Sequence, residues 1–168
     1  MSEEMVSSRD LVVRDKGSGN PSGVLNEELR QAMGRLLSYH TASMQGIGKR
    51  DEQEDDFRLV NSMDVMEAKR NGMLVAVADG MGGMEGGKVA SSTTTCILVN
   101  GFADMDRSSG LDTGMKKIIA EANRQVYELL SNRGGSTLVV CVFFDEKLYF
   151  YSVGDSFLYL FRNFDFFF

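Results

Sequence analysis

Tryptophan is absent from this 168-residue sequence, histidine and proline occur once each, as His40 and Pro21, and cysteine occurs twice, as Cys96 and Cys141. A single histidine excludes zinc sites built on several imidazoles and leaves little room for a Ser/His/Asp triad. The two cysteines lie inside apolar runs and are expected as small buried hydrophobes in a reducing compartment, not as a disulfide or metal pair. With one proline against 18 glycines, the turns must be glycine-made, and some of those glycines are available for close approach of backbone to a ligand. Positive charge is also short. The 18 Lys and Arg against 24 Asp and Glu give a net charge of −6, so no basic stripe exists to neutralise nucleic-acid phosphates. No apolar run approaches the roughly 18 residues of a membrane-spanning helix. The opening Met1-Ser-Glu-Glu4 has neither a basic nor an apolar leader region, which speaks against a secretory signal. A cytoplasmic protein with no nucleic-acid or membrane partner is expected.

What is present is an ordinary globular balance, 43% hydrophobic and 25% charged, in a length that suits one domain with or without a short tail. Residues 1–38 are polar and charged around Lys16-Gly-Ser-Gly-Asn-Pro-Ser-Gly23, and read as a flexible N-terminal segment with a short helix from Asn26 to Leu37. The domain proper is expected over 39–168. Phe57–Val60 alternates briefly, and Met73–Ala78 reads as a buried strand that ends in Asp79-Gly80. A glycine-rich stretch, Gly80 to Gly87, separates it from Lys88–Phe102. There the β-branched Thr93–Val99 favours strand by propensity, while length leaves helix open.

The clearest helix is Asp112–Leu130. Met115, Ile118, Ile119, Ala122, Val126 and Leu130 share one face. Asp112 or Thr113 is expected to cap its start and Gly134-Gly135 to end it. Ser136–Phe144, Leu148–Val153 and Phe157–Phe161 read as an antiparallel meander turning at Asp145-Glu-Lys147 and Gly154-Asp155. The last residues, Asn163-Phe-Asp-Phe-Phe-Phe168, leave aromatics uncovered after a strand, and the sequence reads as cut off there.

Three acidic clusters are candidates for chemistry. Arg50-Asp-Glu-Gln-Glu-Asp-Asp56 places five carboxylates in six positions, and by itself such a run reads first as a solvated loop. Asp79-Gly80 stands at the end of a buried strand, where a hard cation with oxygen ligands is the natural partner of a carboxylate and an ordinary turn is the alternative. Val153-Gly-Asp-Ser156 is by default a hairpin turn. No Gly-Lys-Ser/Thr follows at P-loop spacing, no Gly-x-Ser-x-Gly occurs, and 51–56 lacks the alternating ligands and central glycine of an EF-hand. A carboxylate-and-water cation site is what survives these tests.

The segment Asp79-Gly-Met-Gly-Gly-Met-Glu-Gly-Gly-Lys-Val-Ala-Ser91 resembles the signature of the metal-dependent serine/threonine protein phosphatases of type 2C, the PPM family. Arg50-Asp-Glu-Gln-Glu-Asp55 resembles that family's upstream motif, and Gly135-Ser-Thr137 and Val153-Gly-Asp-Ser156 resemble its two later ones, in order. The resemblance implies an α+β fold, a four-layer α-β-β-α sandwich with metals at one end, and therefore a helix over Lys88–Phe102. It implies that Asp79 bridges two Mn2+ or Mg2+ ions, one of them also bound by the Gly80 carbonyl. Glu54 and Asp55 would hold the ions or their waters, Arg50 would grip the substrate phosphate, and Asp155 would stand near an accessory third ion. The implied reaction is hydrolysis of phosphoserine or phosphothreonine in a phosphoprotein by a metal-bridging hydroxide, without a phospho-enzyme. The complete domain would be a monomer.

The sequence also departs from that pattern. Met84 stands where the family commonly has a histidine thought to protonate the leaving group, and a thioether cannot donate a proton. Lys88 replaces an acidic residue and Phe157 an arginine. Two further metal-binding aspartates of the family would lie beyond Phe168, so the chain reads as the first half to two-thirds of the domain. Weak cation affinity and little activity are expected of it alone. A pseudophosphatase or phosphoprotein-binding module is the alternative reading, and a structural α/β domain with meaningless acidic turns is the third.

Overall fold

The computed structural model describes residues 6–7, 39–81, 85–131, 133–162 and 165–167. The expected helix over 26–37 and the flexible segment over 1–38 lie outside the described residues, apart from Val6–Ser7. The strands are β1 (Val6–Ser7), β2 (Asp55–Val60), β3 (Met73–Met81), β4 (Gly135–Ser136), β5 (Leu138–Phe144), β6 (Lys147–Val153), β7 (Leu160–Arg162) and β8 (Asp165–Phe167). The helices are α1 (Val65–Asn71), α2 (Glu85–Ala103) and α3 (Leu111–Leu130).

Met73–Met81 is the strand on which the rest is organised. Its alternate residues Leu74, Ala76 and Ala78 are fully buried while Val77, Asp79 and Met81 are exposed, the period-2 pattern of a sheet with one face covered. Neighbouring strands follow the order β1-β6-β5-β3-β2, and β4 pairs with the far end of β3. Each pairing is antiparallel. The β5–β6 hairpin turns through Asp145 and Glu146, both at positive φ, as a two-residue turn that follows strand twist requires.

The covered face carries α2 and α3. Leu74, Ala76, Val140 and Val142 of the sheet meet Leu98 and Phe102 of α2 and Leu111 and Met115 of α3 in one core. The small alanines of β3 give α2 room to lie close. Where the two helices touch, Gly101 faces Ile118, and a Cβ on Gly101 would lie 2.9 Å from that side chain. The expected α+β class is thus met by an antiparallel sheet with a helical layer on one face.

The helix that the resemblance implies over Lys88–Phe102 is present, against the strand propensity of Thr93–Val99. Thr94 Oγ1 donates to the Ala90 carbonyl at 2.8 Å and Ser92 Oγ to that of Lys88 at 2.7 Å, while Thr95 Oγ1 donates to Asp56. Three local expectations are corrected. Helix α3 starts at Gly110 without a side-chain cap, and Asp112 instead pairs with Lys116 at 2.8 Å. It ends at Ser131 in the left-handed region, before the glycines. The third strand of the meander is shorter and placed differently: residues 157–159 are irregular and Leu160–Arg162 pairs with Asp165–Phe167. Cys96 is exposed on α2, with Asn100 Nδ2 at 3.6 Å from its sulfur, because its position falls off the Ala90–Thr94–Leu98–Phe102 stripe. Cys141 is buried as expected, and burial pushes its thiol up to about 11.

The sequence reading did not anticipate α1, which Asp64 caps by accepting from the Met66 and Glu67 amides at 2.9 and 3.0 Å. Arg107 locks the C-terminal ends of α1 and α2 together. Its Nη2 donates to the Asn71 carbonyl at 2.6 Å and the Phe102 carbonyl at 3.3 Å, and its Nη1 to that of Met105 at 3.2 Å. The guanidinium also lies 4.9 Å from the Phe102 ring centre, so charge, fork and stacking act together. Arg107→Ala is expected to cost about 1.5–3 kcal/mol in denaturant unfolding, the range for hydrogen bonds to a charged group. Arg107→Lys should recover little, because an ammonium lacks the fork.

Candidate functional site

The start of β2 and the end of β3 lie side by side, and their register pairs Asp55 directly with Asp79. Residues opposite each other in an antiparallel pair share a face, so the two carboxyl groups stand together on the side of the sheet away from α2. Burial first, and then the Asp79 carboxylate beside it, push the Asp55 carboxyl above its ordinary range, and Arg50 pulls the other way. Two carboxyl groups held this way share a proton or share a cation.

Glu54, one residue earlier, is pressed into the first turn of α2. Its carbonyl accepts from the Ser91 hydroxyl and from the Gly80 amide at 3.2 Å. Its side chain is only 15% exposed, with Oε2 3.6 Å from Arg50 Nη1. Among the described residues Oε1 is buried without a hydrogen-bond partner, a costly state for a carboxylate unless a cation or water meets it. The approach depends on two glycines. A Cβ on Gly87 would lie 2.5 Å from Glu54 Oε1, and one on Gly80 would lie 2.1 Å from the Gly87 carbonyl oxygen. The glycines here let the backbone of β3, the first turn of α2 and the Glu54 carboxylate approach one another closely.

The remaining acids of the 50–56 run separate by face. Asp51 and Glu52 are exposed. Asp56 points toward α2, accepting from the Thr95 hydroxyl and pairing with Arg58 at 3.0 Å, so it anchors β2 to the helix. Asp79 is exposed rather than buried with its strand, because the alternation that buries Ala78 and Gly80 turns it outward. Arg50 is largely exposed beside Glu54. Gly80 is buried and paired with Ser136. Asp155 lies exposed in the turn after β6. Met84 lies outside the described residues.

The structure therefore brings Arg50, Glu54, Asp55, Asp79 and Gly80 to one sheet edge. Among the described residues, no three His, Cys, Asp or Glu side chains enclose a point that holds an ion. The acidic set is the Asp55–Asp79 pair, flanked by Glu54. Sequence reasoning assigned no role to Ser91, Thr137 or Ser156, which position these groups through hydrogen bonds. Their signal was membership of the same motifs that supplied the acids.

Residues 39–167 match the family described as protein phosphatase 2C. The serine/threonine phosphatase stp of Listeria welshimeri is 34% identical over 107 residues, 59% of this chain and 42% of the relative. The chain thus spans less than half the length of that curated relative. Among solved structures, the PPM Ser-Thr phosphatase MsPP of Mycobacterium smegmatis, in complex with cacodylate, is 30% identical with a TM-score of 0.57, over 79% of this chain and 52% of that one. The catalytic domain of the serine/threonine protein phosphatase PstP, in complex with two manganese ions, is 25% identical with a TM-score of 0.56, over 70% of this chain and 48% of that one.

Proposed function

The chain belongs to the protein phosphatase 2C family, and from that premise we propose that it serves metal-dependent hydrolysis of phosphoserine and phosphothreonine in proteins. The observation that carries this reading is the Asp55–Asp79 pair, facing across β2 and β3, with the unpartnered buried oxygen of Glu54 beside it. The donor set is entirely oxygen, which suits a hard divalent cation, and the glycines at 80 and 87 leave no Cβ in the way. Asp55 and Asp79 would hold the ions, with Glu54 and the Gly80 carbonyl beside them and Asp155 serving an accessory ion. Manganese is supported by its presence in the PstP structure, and magnesium accepts the same ligands. When bound, such ions lower the pKa of water toward neutrality and stabilise charge on phosphoryl oxygens.

The chain's own residues do the rest. Arg50 presents an exposed guanidinium, 67% accessible at its side chain, whose planar fork matches two phosphate oxygens. Its contact with Glu54 keeps it at the acidic edge, where it places a phosphate against the Asp55–Asp79 pair. The raised Asp55 carboxyl gives up its proton more readily once a cation stands against it, so ion binding and deprotonation are linked.

Hydrolysis of a phosphothreonine peptide with Mn2+ and with EDTA tests this reading. Chelation is expected to abolish hydrolysis, and Arg50→Ala to raise KM about tenfold or more with a smaller effect on kcat. Phosphopeptide binding without hydrolysis, surviving chelation and lost in Arg50→Ala, would replace it with the binding-module reading.

A further inference from the structure

We infer that Thr137 is a positioning residue that joins the turn carrying Asp155 to the strand end carrying Asp79, so that both carboxylates are held as one unit toward a divalent cation. This rests on the reading of those two acids as cation-side groups. Thr137 is 2% exposed, so its hydroxyl must find its partners within the protein. Thr137 Oγ1 accepts from the Asp79 amide at 3.2 Å and lies 2.6 Å from Ser156 Oγ. The Thr137 amide donates to the Asp79 carbonyl at 2.8 Å; Ser136 Oγ lies 3.1 Å from the same oxygen, with the Thr137 carbonyl as the nearer acceptor of its single proton at 2.8 Å. The backbone of Asp79 is therefore gripped on both its amide and its carbonyl side by Thr137.

The other end of the link is the turn. Gly154 has φ +94 and lies against the Thr137 methyl, so that a Cβ there would come within 2.9 Å of Thr137 Cγ2. Ser156, two residues on, takes the Thr137 hydroxyl. Asp155 is thus bracketed by two contacts to a single side chain, the methyl below Gly154 and the hydroxyl at Ser156. A hydroxyl has one proton and two lone pairs. The Asp79 amide occupies one lone pair, and the Ser156 bond uses the proton or the other lone pair. Valine at 137 would keep the buried shape and the Gly154 contact, yet leave the Asp79 amide and the Ser156 hydroxyl without this partner. Serine would keep the hydroxyl and lose only the methyl.

The test compares Thr137→Val, Thr137→Ser, Ser156→Ala and Asp79→Asn in two readouts on the full chain. The first is amide hydrogen exchange of the ion-free protein. Thr137→Val and Ser156→Ala are expected to speed exchange at the Asp79 amide about tenfold and threefold respectively, with Leu74 and Val140 unchanged and Thr137→Ser close to wild type. The second is Mn2+ affinity by calorimetry, expected to fall about 3–10-fold in Thr137→Val and in Ser156→Ala, and no further in the double variant. Ser156→Ala that leaves the Asp79 amide at its wild-type rate overturns the link. Exchange that changes as expected while Mn2+ affinity is the same in wild type, Thr137→Val and Asp79→Asn overturns the cation reading beneath it. Affinity that falls in Asp79→Asn but stays put in Thr137→Val overturns the positioning role alone.

Discussion

Asp79→Asn is expected to remove what Mn2+-dependent phosphopeptide hydrolysis this chain supports, a loss of about 100-fold or more in the complete domain, the scale of losing a group that fixes charge in the reaction, and at the same time to stabilise the ion-free protein. The two effects share one cause. Asp79 faces Asp55 in register, and together with burial its carboxylate holds the Asp55 carboxyl above its ordinary value of 3.8. A carboxyl whose pKa is raised by folding binds its proton more tightly in the folded state. Its contribution to stability is fully present below 3.8 and is lost as pH rises through the raised value. Above that value the wild-type protein carries two facing carboxylates whose repulsion Arg50 offsets only in part, and the asparagine variant does not. The melting temperature of Asp79→Asn should therefore exceed that of wild type at pH 7 in the absence of ions, and the difference should shrink as pH falls toward 4. A variant that loses activity and stability together would point to a structural role for Asp79 instead. Function held at the expense of ion-free stability is the pattern expected of a binding site.

Gly80→Ala carries the second large effect. The added methyl would lie 2.1 Å from the Gly87 carbonyl oxygen, 2.4 Å from its carbon and 2.6 Å from the Glu54 carbonyl oxygen. All three are backbone atoms, so no side chain can rotate away. Either the first turn of α2 moves off the sheet or the Gly80–Glu54 hydrogen bond breaks. The expected cost is about 3 kcal/mol or more, which for a chain of this size lowers the melting temperature by about 6–12 °C. Gly46→Ala provides the control, since a Cβ there meets nothing within 4 Å. Equal melting temperatures for the two variants would show that α2 does not sit against β3 as closely as described.

How much of this was legible beforehand depended on the range of the interaction. The strand over Met73–Ala78 and the helix over Asp112–Leu130 carry their own periodicity, and both are present with boundaries shifted by a few residues. Helix α2 does not. Its β-branched centre argues for strand, and only the resemblance of the preceding signature implied helix. What decides the matter is tertiary: a stripe from Ala90 to Phe102 lying on the alanines of β3, with hydroxyls turned back onto helix carbonyls.

The acidic run shows the same division. Its composition marked Glu54, Asp55 and Asp56 alike, yet strand pairing sends Asp55 to the Asp79 side and Asp56 to Thr95 on the helix side. A register cannot be read from a run of identical charges. Cys96 was misjudged because an apolar neighbourhood in sequence says nothing of helix face. Thr137 went without a role because its partners, Asp79 and Ser156, are 58 and 19 residues away.

The central claim is that the Asp55–Asp79 pair is a divalent-cation platform, and thermal unfolding with and without Mn2+ tests it most directly. A ligand that binds only the folded state raises its stability in proportion to the logarithm of ligand concentration. Wild type is predicted to gain melting temperature progressively as Mn2+ rises through the millimolar range, while Asp79→Asn, the more stable of the two without ions, gains none. Equal shifts in both proteins, or no shift in wild type at any concentration, would contradict the account.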